Sequence, residues 1–198
     1  MSGALRPALL LDRDGVLNVE VEYLHEPAAL VIIPGAAAAV AAVNQLGVPV
    51  VVVSNQAGIG RGLYGEEAYR AVQDRLGELL ATAGARVDAD YHCPHHPELG
   101  LGPYRVACAC RKPRPGMLLE AARDLGLDLR RSVLVGDKLI DLEAGRAVGC
   151  TTVLVRTGYG AAEEARAVAA GAAAGPPWDA VRDSLADALP LLLARLRG

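Results

Sequence analysis

Ala8-Leu9-Leu10-Leu11-Asp12-Arg13-Asp14-Gly15 is a short apolar run that stops at two carboxylates one residue apart and a glycine. An unbroken apolar run bounded by turn-forming residues reads as a strand buried on both faces, the kind found in parallel sheets. Ligands of open parallel sheets bind just beyond the carboxyl ends of the strands. Asp12 and Asp14 therefore stand at the mouth of a pocket. Two carboxylates ~4 Å apart repel by about 4 kcal/mol at an effective dielectric near 20. A site that keeps both ionised calls for a cation, and oxygen-liganded Mg²⁺ suits it.

Working outward, apolar runs alternate with helical patterns, the sign of βαβ units around a parallel sheet. Strands are expected at Ala8–Leu11, Val48–Val53, Ala89–His92, Ser132–Val135 and Thr151–Val155. Helices are expected at Gly35–Leu46, Glu66–Ala83, Gly116–Leu125 and Leu139–Val148, several of them closed by a glycine. Residues 161–174 are alanine-rich and are expected to be a helical tail, broken by the Gly-Pro-Pro at 175–177. Ser184–Leu196 reads as a last helix despite Pro190. The expected architecture is α/β, a Rossmann-like three-layer fold with no large cap domain and a metal-bound loop insertion. The 198 residues suit a single domain.

Composition narrows the function. The chain is 52% hydrophobic, much of it alanine, with mean hydropathy +0.25, and no run approaches the ~20 apolar residues of a membrane span. The N-terminal apolar stretch is too short for a signal-peptide core, so a soluble cytoplasmic protein, with no membrane partner, is expected. A net charge of −3 argues against a broad nucleic-acid face. One Trp and no Phe leave little for base stacking.

Three further segments place chemistry at strand ends. Ser54-Asn55-Gln56-Ala57-Gly58-Ile59-Gly60-Arg61-Gly62 follows the valine-rich run with a hydroxyl, an amide and glycine-rich backbone that can donate to phosphate oxygens. Arg111-Lys112-Pro113-Arg114-Pro115-Gly116 offers a fixed lysine charge and a guanidinium able to grip a second anion. Val135-Gly136-Asp137-Lys138-Leu139-Ile140-Asp141 repeats the strand-then-aspartate pattern. If a helix starts near Asp137, Asp141 shares its face one turn on, and Asp137 is also a possible helix cap.

Residues 94–114 have no periodicity, and a loop that long is usually functional or ligand-held. Cys93-Pro94-His95 and Cys108-Ala109-Cys110 are two i,i+2 pairs separated by 12 residues. In extended chain, i and i+2 point to one side, so each pair can present two donors to one metal. Three thiolates and one imidazole make a closed tetrahedral zinc site with a structural role. The same parity selects His95 over His96. His92 and His96 read as loop histidines and Cys150 as a buried core thiol.

Each motif alone has a bland reading: a turn, a flexible loop, a solvated basic pair, a cap. Their combination and order resemble the haloacid dehalogenase-like phosphohydrolases. The Cys-x-His…Cys-x-Cys loop of about 92–111 running into Arg111-Lys112-Pro113 narrows this. With no large cap, the chain resembles the D-glycero-D-manno-heptose 1,7-bisphosphate 7-phosphatases, and less closely the histidinol-phosphatases.

That resemblance implies an Mg²⁺-dependent phosphomonoester hydrolase of lipopolysaccharide-core heptose synthesis. Its substrate would be a small sugar bisphosphate, its zinc structural and its chain a monomer. Asp12 would be the nucleophile that becomes an aspartyl-phosphate and Asp14 the general acid and base. Asp12, the Asp14 carbonyl and Asp137 would hold Mg²⁺, with Asp141 behind them. Ser54 and Lys112 would stabilise the transferred group. Asn55, Gln56 and Ala57 would orient it, and Arg61, Arg111 and Lys138 would recognise the rest of the substrate. Asn18, Glu20 and Tyr23 would bind substrate from the flap that follows the first motif. Cys93, His95, Cys108 and Cys110 would hold zinc. Histidinol phosphate is the alternative substrate. A non-catalytic anion-binding module is the alternative class, and it leaves Asp12, Asp14 and Asp137 without a task.

Overall fold

The computed structural model describes residues 4–171, 176 and 178–197. Six strands make one parallel sheet: β1 (Leu9–Leu11), β2 (Val50–Asn55), β3 (Ala89–Cys93), β4 (Val133–Gly136), β5 (Thr151–Val155) and β6 (Ala180–Arg182). Their spatial order is β3-β2-β1-β4-β5-β6. The five expected strands are present. β6 was not expected, because three half-buried residues at a sheet edge are too few to carry a pattern.

Among the described residues, seven α-helices connect and cover the sheet: α1 (Ala36–Asn44), α2 (Ala57–Gly60), α3 (Glu66–Ala81), α4 (Gly116–Leu125), α5 (Leu139–Ala147), α6 (Gly160–Ala169) and α7 (Leu185–Leu196). The glycine-rich segment after β2 is not an open loop but the single helical turn α2. The expected tail helix ends earlier, at Ala169, and its break at 175–177 lies largely outside the described residues. α7 runs through Pro190. A proline inside a helix costs about 3 kcal/mol. Buried Leu185, Leu192 and Leu196, each worth about 1.5–3 kcal/mol, outweigh that cost.

Alternate strand residues divide between two cores, as a period of two requires. Leu9, Leu11, Val50, Val52, Val133 and Val135 pack with residues of α1, α3 and α7 on one face. Leu10, Val51, Val53 and Leu134 pack with Met117, Leu118 and Ala121 of α4 and Ala144 of α5 on the other. The result is the three-layer architecture expected. Leu11 lies opposite both Val52 and Val135, so the ends of β1, β2 and β4 emerge side by side. Connection direction reverses between β1 and β4, and such switch points open the crevice in which doubly wound sheets bind ligands.

Candidate active site

Asp12 leaves the end of β1 and Asp137 the end of β4, and both are buried. Carboxylate oxygens of Asp12, Asp137 and Asp141 lie within 4.8 Å of one another. Burial, reinforced by the Asp12 charge, pushes the Asp137 carboxyl up to about 8. Its Oδ2 accepts from the Tyr159 backbone N–H at 2.9 Å, while its Oδ1 is buried without a hydrogen-bond partner. A buried acceptor aimed at two further carboxylates fits a hard divalent cation. Gly15, at φ +81°, permits the approach: a Cβ there would sit 2.2 Å from Asp137 Oδ2. A Cβ on Gly158 would meet the same oxygen at 2.2 Å and the Gly15 Cα at 2.7 Å, so both glycines are needed for the close packing there.

Asp137 does not cap α5, one of the two roles open to it in the sequence. The helix starts at Leu139, and Asp141 turns back so that its Oδ2 accepts from Lys138 N–H at 3.1 Å. The other oxygen of Asp141 meets Lys112 Nζ at 2.6 Å. That ammonium also lies 3.0 Å from Asp12 Oδ1 and donates to the Val53 carbonyl at 2.7 Å. Burial opposes its charge, but the Asp12 and Asp141 carboxylates together hold its pKa above the ordinary lysine value. Burial likewise pushes Asp141 up to about 6, against the pull of Lys112. Asp12 Oδ1 accepts the Arg13 backbone N–H at 2.8 Å as well, so this carboxylate is held in one orientation.

Asp14 points away from that cluster. The buried Arg13 guanidinium grips it through Nε and Nη2 at 2.9–3.2 Å. Asn18 Nδ2 donates to its Oδ1 at 2.9 Å and Gln56 Nε2 to its Oδ2 at 3.1 Å. Asn18, expected to bind substrate, is fully buried, and its amide is spent on Asp14 and the Val19 carbonyl. Residues 13–18 turn tightly (Leu17 N–H to Arg13 O, Gly15 N–H to Asn18 O), and this folds Asn18 under Asp14 rather than into the cleft.

A cleft of about 370 Å³ opens above these groups. Asp12, Asp14, Ser54, Asn55, Gln56, Ala57 and Lys112 line its floor. Arg61, Arg111, Lys138, Glu20 and Tyr23 line its walls. The segment after Asn18 is tied down from several sides. Glu20 pairs with Lys138 Nζ at 2.9 Å, Tyr23 contacts the Arg61 guanidinium, and His25 stacks on Tyr64. Lys138 also lies over the Tyr159 ring. Asn55 exchanges two hydrogen bonds of 3.1 Å with the Lys112 backbone, so the β2 end and the Arg111-Lys112 segment are locked together.

Beside the cleft, the donor atoms of Cys93, His95, Cys108 and Cys110 converge. The thiols are 3.1–3.4 Å apart, and His95 Nδ1 is 3.4 and 3.7 Å from Cys110 and Cys93 Sγ. Tetrahedral zinc with Zn–S of about 2.3 Å sets such edges near ~3.7 Å. The donor set therefore fits zinc, and all four cysteines are free thiols. His96 stays outside the cluster and lines the cleft, while His92 pairs with Glu66 at 3.0 Å. Arg111 Nη1 donates to the His95 carbonyl at 3.0 Å, linking the cluster to the basic segment.

A HAD-hydrolase-like family model matches residues 109–188. The chain is 43% identical over 165 residues to a D-glycero-beta-D-manno-heptose-1,7-bisphosphate 7-phosphatase of Vibrio cholerae, covering 83% of this chain and 89% of the relative. It is 46% identical over 148 residues to a Burkholderia mallei relative named for the alpha anomer, covering 75% and 78%. The chain belongs to the heptose bisphosphate phosphatase family of HAD-like hydrolases. Among solved structures, the D,D-heptose 1,7-bisphosphate phosphatase of B. bronchiseptica complexed with magnesium and phosphate superposes with a TM-score of 0.83. It shares 35% identity and covers 95% of this chain and 98% of that one.

Several residues that shape the site escaped the sequence reading. Thr157, Gly158 and Tyr159 follow the end of β5, and the strand-end rule, applied there too, would have pointed to them. Thr157 Oγ1 donates to the Gly15 carbonyl at 2.6 Å, and Tyr159 N–H reaches Asp137. Tyr64 gave no comparable signal, since its partner Gln56 lies across the α2 turn, and Arg13 gave none because no local pattern says that its guanidinium folds back, buried, onto the adjacent Asp14.

Proposed function

We propose that the chain removes the 7-phosphate of D-glycero-D-manno-heptose 1,7-bisphosphate by way of a phosphorylated Asp12, in the synthesis of the nucleotide-activated heptose of the lipopolysaccharide core. One observation carries the reading. Carboxylates 125 residues apart in sequence, Asp12 and Asp137, meet at one buried point, and Lys112 holds the first of them. Asp12, fixed by Lys112 and the Arg13 N–H, presents an oxygen in line with the phosphorus of the bound substrate. The Asp12–P bond forms as the bond from phosphorus to the sugar oxygen breaks. Asp14 gives its proton to the leaving alkoxide. It then takes one from the water that releases phosphate and regenerates Asp12. Ser54 and Lys112 face the charge that spreads over the transferred group.

Magnesium, held by Asp12, Asp137 and the Asp14 carbonyl, supplies the neutralisation that lets anionic substrate approach an anionic nucleophile. Arg61, Arg111 and Lys138 give the wall a local positive charge despite the chain's overall −3. This favours a substrate with a second phosphate over histidinol phosphate. Glu20 and Tyr23 reach the sugar from the flap. Zinc at Cys93, His95, Cys108 and Cys110 orders the loop that delivers Arg111 and Lys112, and at ~10–16 kcal/mol for small peptides it is strong enough to do so without an apolar core. Among the described residues no helix is long and apolar enough to cross a membrane. Phosphate release from purified protein tests the reading. Heptose 1,7-bisphosphate with Mg²⁺ is expected to exceed heptose 7-phosphate and histidinol phosphate in kcat/KM. Equal rates on all three, or release that ignores Mg²⁺, refutes it.

A further inference from the structure

We infer that the Gln56 side chain is a positioning residue that sets Asp14 and Ser54 in register with each other, and that Tyr64 holds the carbonyl end of its amide in place. The inference rests on the phosphatase reading above and deepens it. Gln56 is buried, and its two amide hydrogens are divided. Nε2 donates to Asp14 Oδ2 at 3.1 Å and to Ser54 Oγ at 2.7 Å. Its Oε1 accepts from Tyr64 Oη at 2.6 Å. No amide hydrogen is left for substrate. Arg13 and Asn18 also grip Asp14, but among the described residues Gln56 is the one that bonds both Asp14 and Ser54.

The consequence for Ser54 is directional. A hydroxyl has one proton and two lone pairs. With one lone pair occupied by Gln56 Nε2, the Ser54 proton is free to point into the cleft, where the phosphoryl oxygens arrive. The consequence for Asp14 is positional: Gln56 shares Oδ2 with Arg13 Nη2 and ties the carboxylate to Ser54, while Arg13 and Asn18 hold Oδ1. A reversed amide would set Oε1 against the Asp14 carboxylate and leave Ser54 Oγ without its donor. The acceptor-only Asp14 carboxylate excludes that reversal, and Tyr64 Oη, donating to Oε1, holds the carbonyl end of the amide in place.

The tyrosine is itself seated with care. A Cβ on Gly58 would lie 2.2 Å from Tyr64 Cε1, so α2 keeps a glycine where the ring packs. The opposite face of Tyr64 stacks on His25 of the flap, with ring centroids 5.6 Å apart and planes 6° from parallel. Flap, tyrosine, glutamine and acid/base thus form one contact chain.

The test uses Gln56→Leu and Tyr64→Phe in the zinc-loaded full-length protein, assayed with Mg²⁺ on heptose 1,7-bisphosphate, together with inhibition by inorganic phosphate. For Gln56→Leu, kcat is expected to fall on the order of 10²-fold, the usual cost of a misplaced reacting group. KM and the phosphate inhibition constant should stay within about 3-fold. Tyr64→Phe should change the same parameter in the same direction by about tenfold, and being conservative it serves if the leucine variant does not fold. A raised KM and phosphate inhibition constant with unchanged kcat makes Gln56 a substrate ligand and overturns the inference. So does wild-type kcat in both variants. Crystal structures of wild type and Tyr64→Phe read the positioning even if the substrate assignment is wrong. Asp14 and the Gln56 amide should leave their observed places in the variant, and an unmoved pair overturns the inference independently of turnover.

Discussion

Replacing Asp137 by asparagine separates the two roles of that carboxylate. Burial and the Asp12 charge hold its pKa up to about 8 in the metal-free fold, against about 3.9 in the unfolded chain. A group raised on folding stabilises the fold fully only below its unfolded value, and that stability drains away as pH rises toward the folded value. Between pH 6 and 8 the unfolded chain carries the ionised carboxylate and the fold the protonated one. Wild-type stability therefore declines by about 1.4 kcal/mol per pH unit from this residue alone. Asparagine keeps the acceptor for the Tyr159 N–H and carries no such penalty. Metal-free Asp137→Asn should already be the more stable protein at pH 6. Its lead should widen by about 2 kcal/mol by pH 8, where the folded carboxyl itself has begun to ionise, or about 4–8 °C in Tm for a chain of this size. Differential scanning fluorimetry in magnesium-free buffer, with zinc retained, measures the difference and cancels titrations common to both proteins. Added Mg²⁺ should restore the wild type and leave the variant unmoved and inactive. A difference that stays flat from pH 6 to 8 refutes the argument that burial keeps Asp137 protonated without a cation.

Asp12→Asn is expected to abolish turnover, by more than ~10³-fold, while circular dichroism shows an unchanged fold; residual wild-type rate would dismiss it as nucleophile. Metal analysis should find about one zinc per chain. Cys110→Ser should lose most of it and raise KM for the bisphosphate, since the adjacent Arg111 and Lys112 lose their anchor. Gly15→Ala should cost kcat, Mg²⁺ affinity and at least ~1–3 kcal/mol of stability, because the new methyl collides with Asp137 and φ +81° disfavours any side chain; a thermal shift with Mg²⁺ equal to wild type would contradict this.

The parts of the fold that a short window specifies were readable. Leu9–Leu11 and Val50–Val53 are apolar on both faces because both faces are covered, and glycines at φ +71° and +69° follow α1 and α3 at Gly47 and Gly84. Strand-end aspartates could be assigned to a common pocket because sheet topology, not local conformation, brings them together. The Cys/His parity argument worked for the same kind of reason, since an extended segment has a fixed side-chain alternation. What depended on turn geometry was hidden. Asn18 goes beneath Asp14 because residues 13–18 close on themselves, and the Gln56 amide turns inward because the next residues coil into α2. β6, short and at the edge, left no periodic trace.

β1 lies at the centre of the sheet, yet its neighbour β4 is made some 120 residues later. A nascent chain that has paired β1 with β2 exposes the other side of an all-leucine strand, its backbone hydrogen-bonding groups unfilled, until more than two-thirds of the polypeptide has been synthesised. Such an open edge invites pairing with another chain. Protection from stray association during translation is therefore a demand written into the order of the strands, and a chain produced too fast in a foreign host should fail first at that seam.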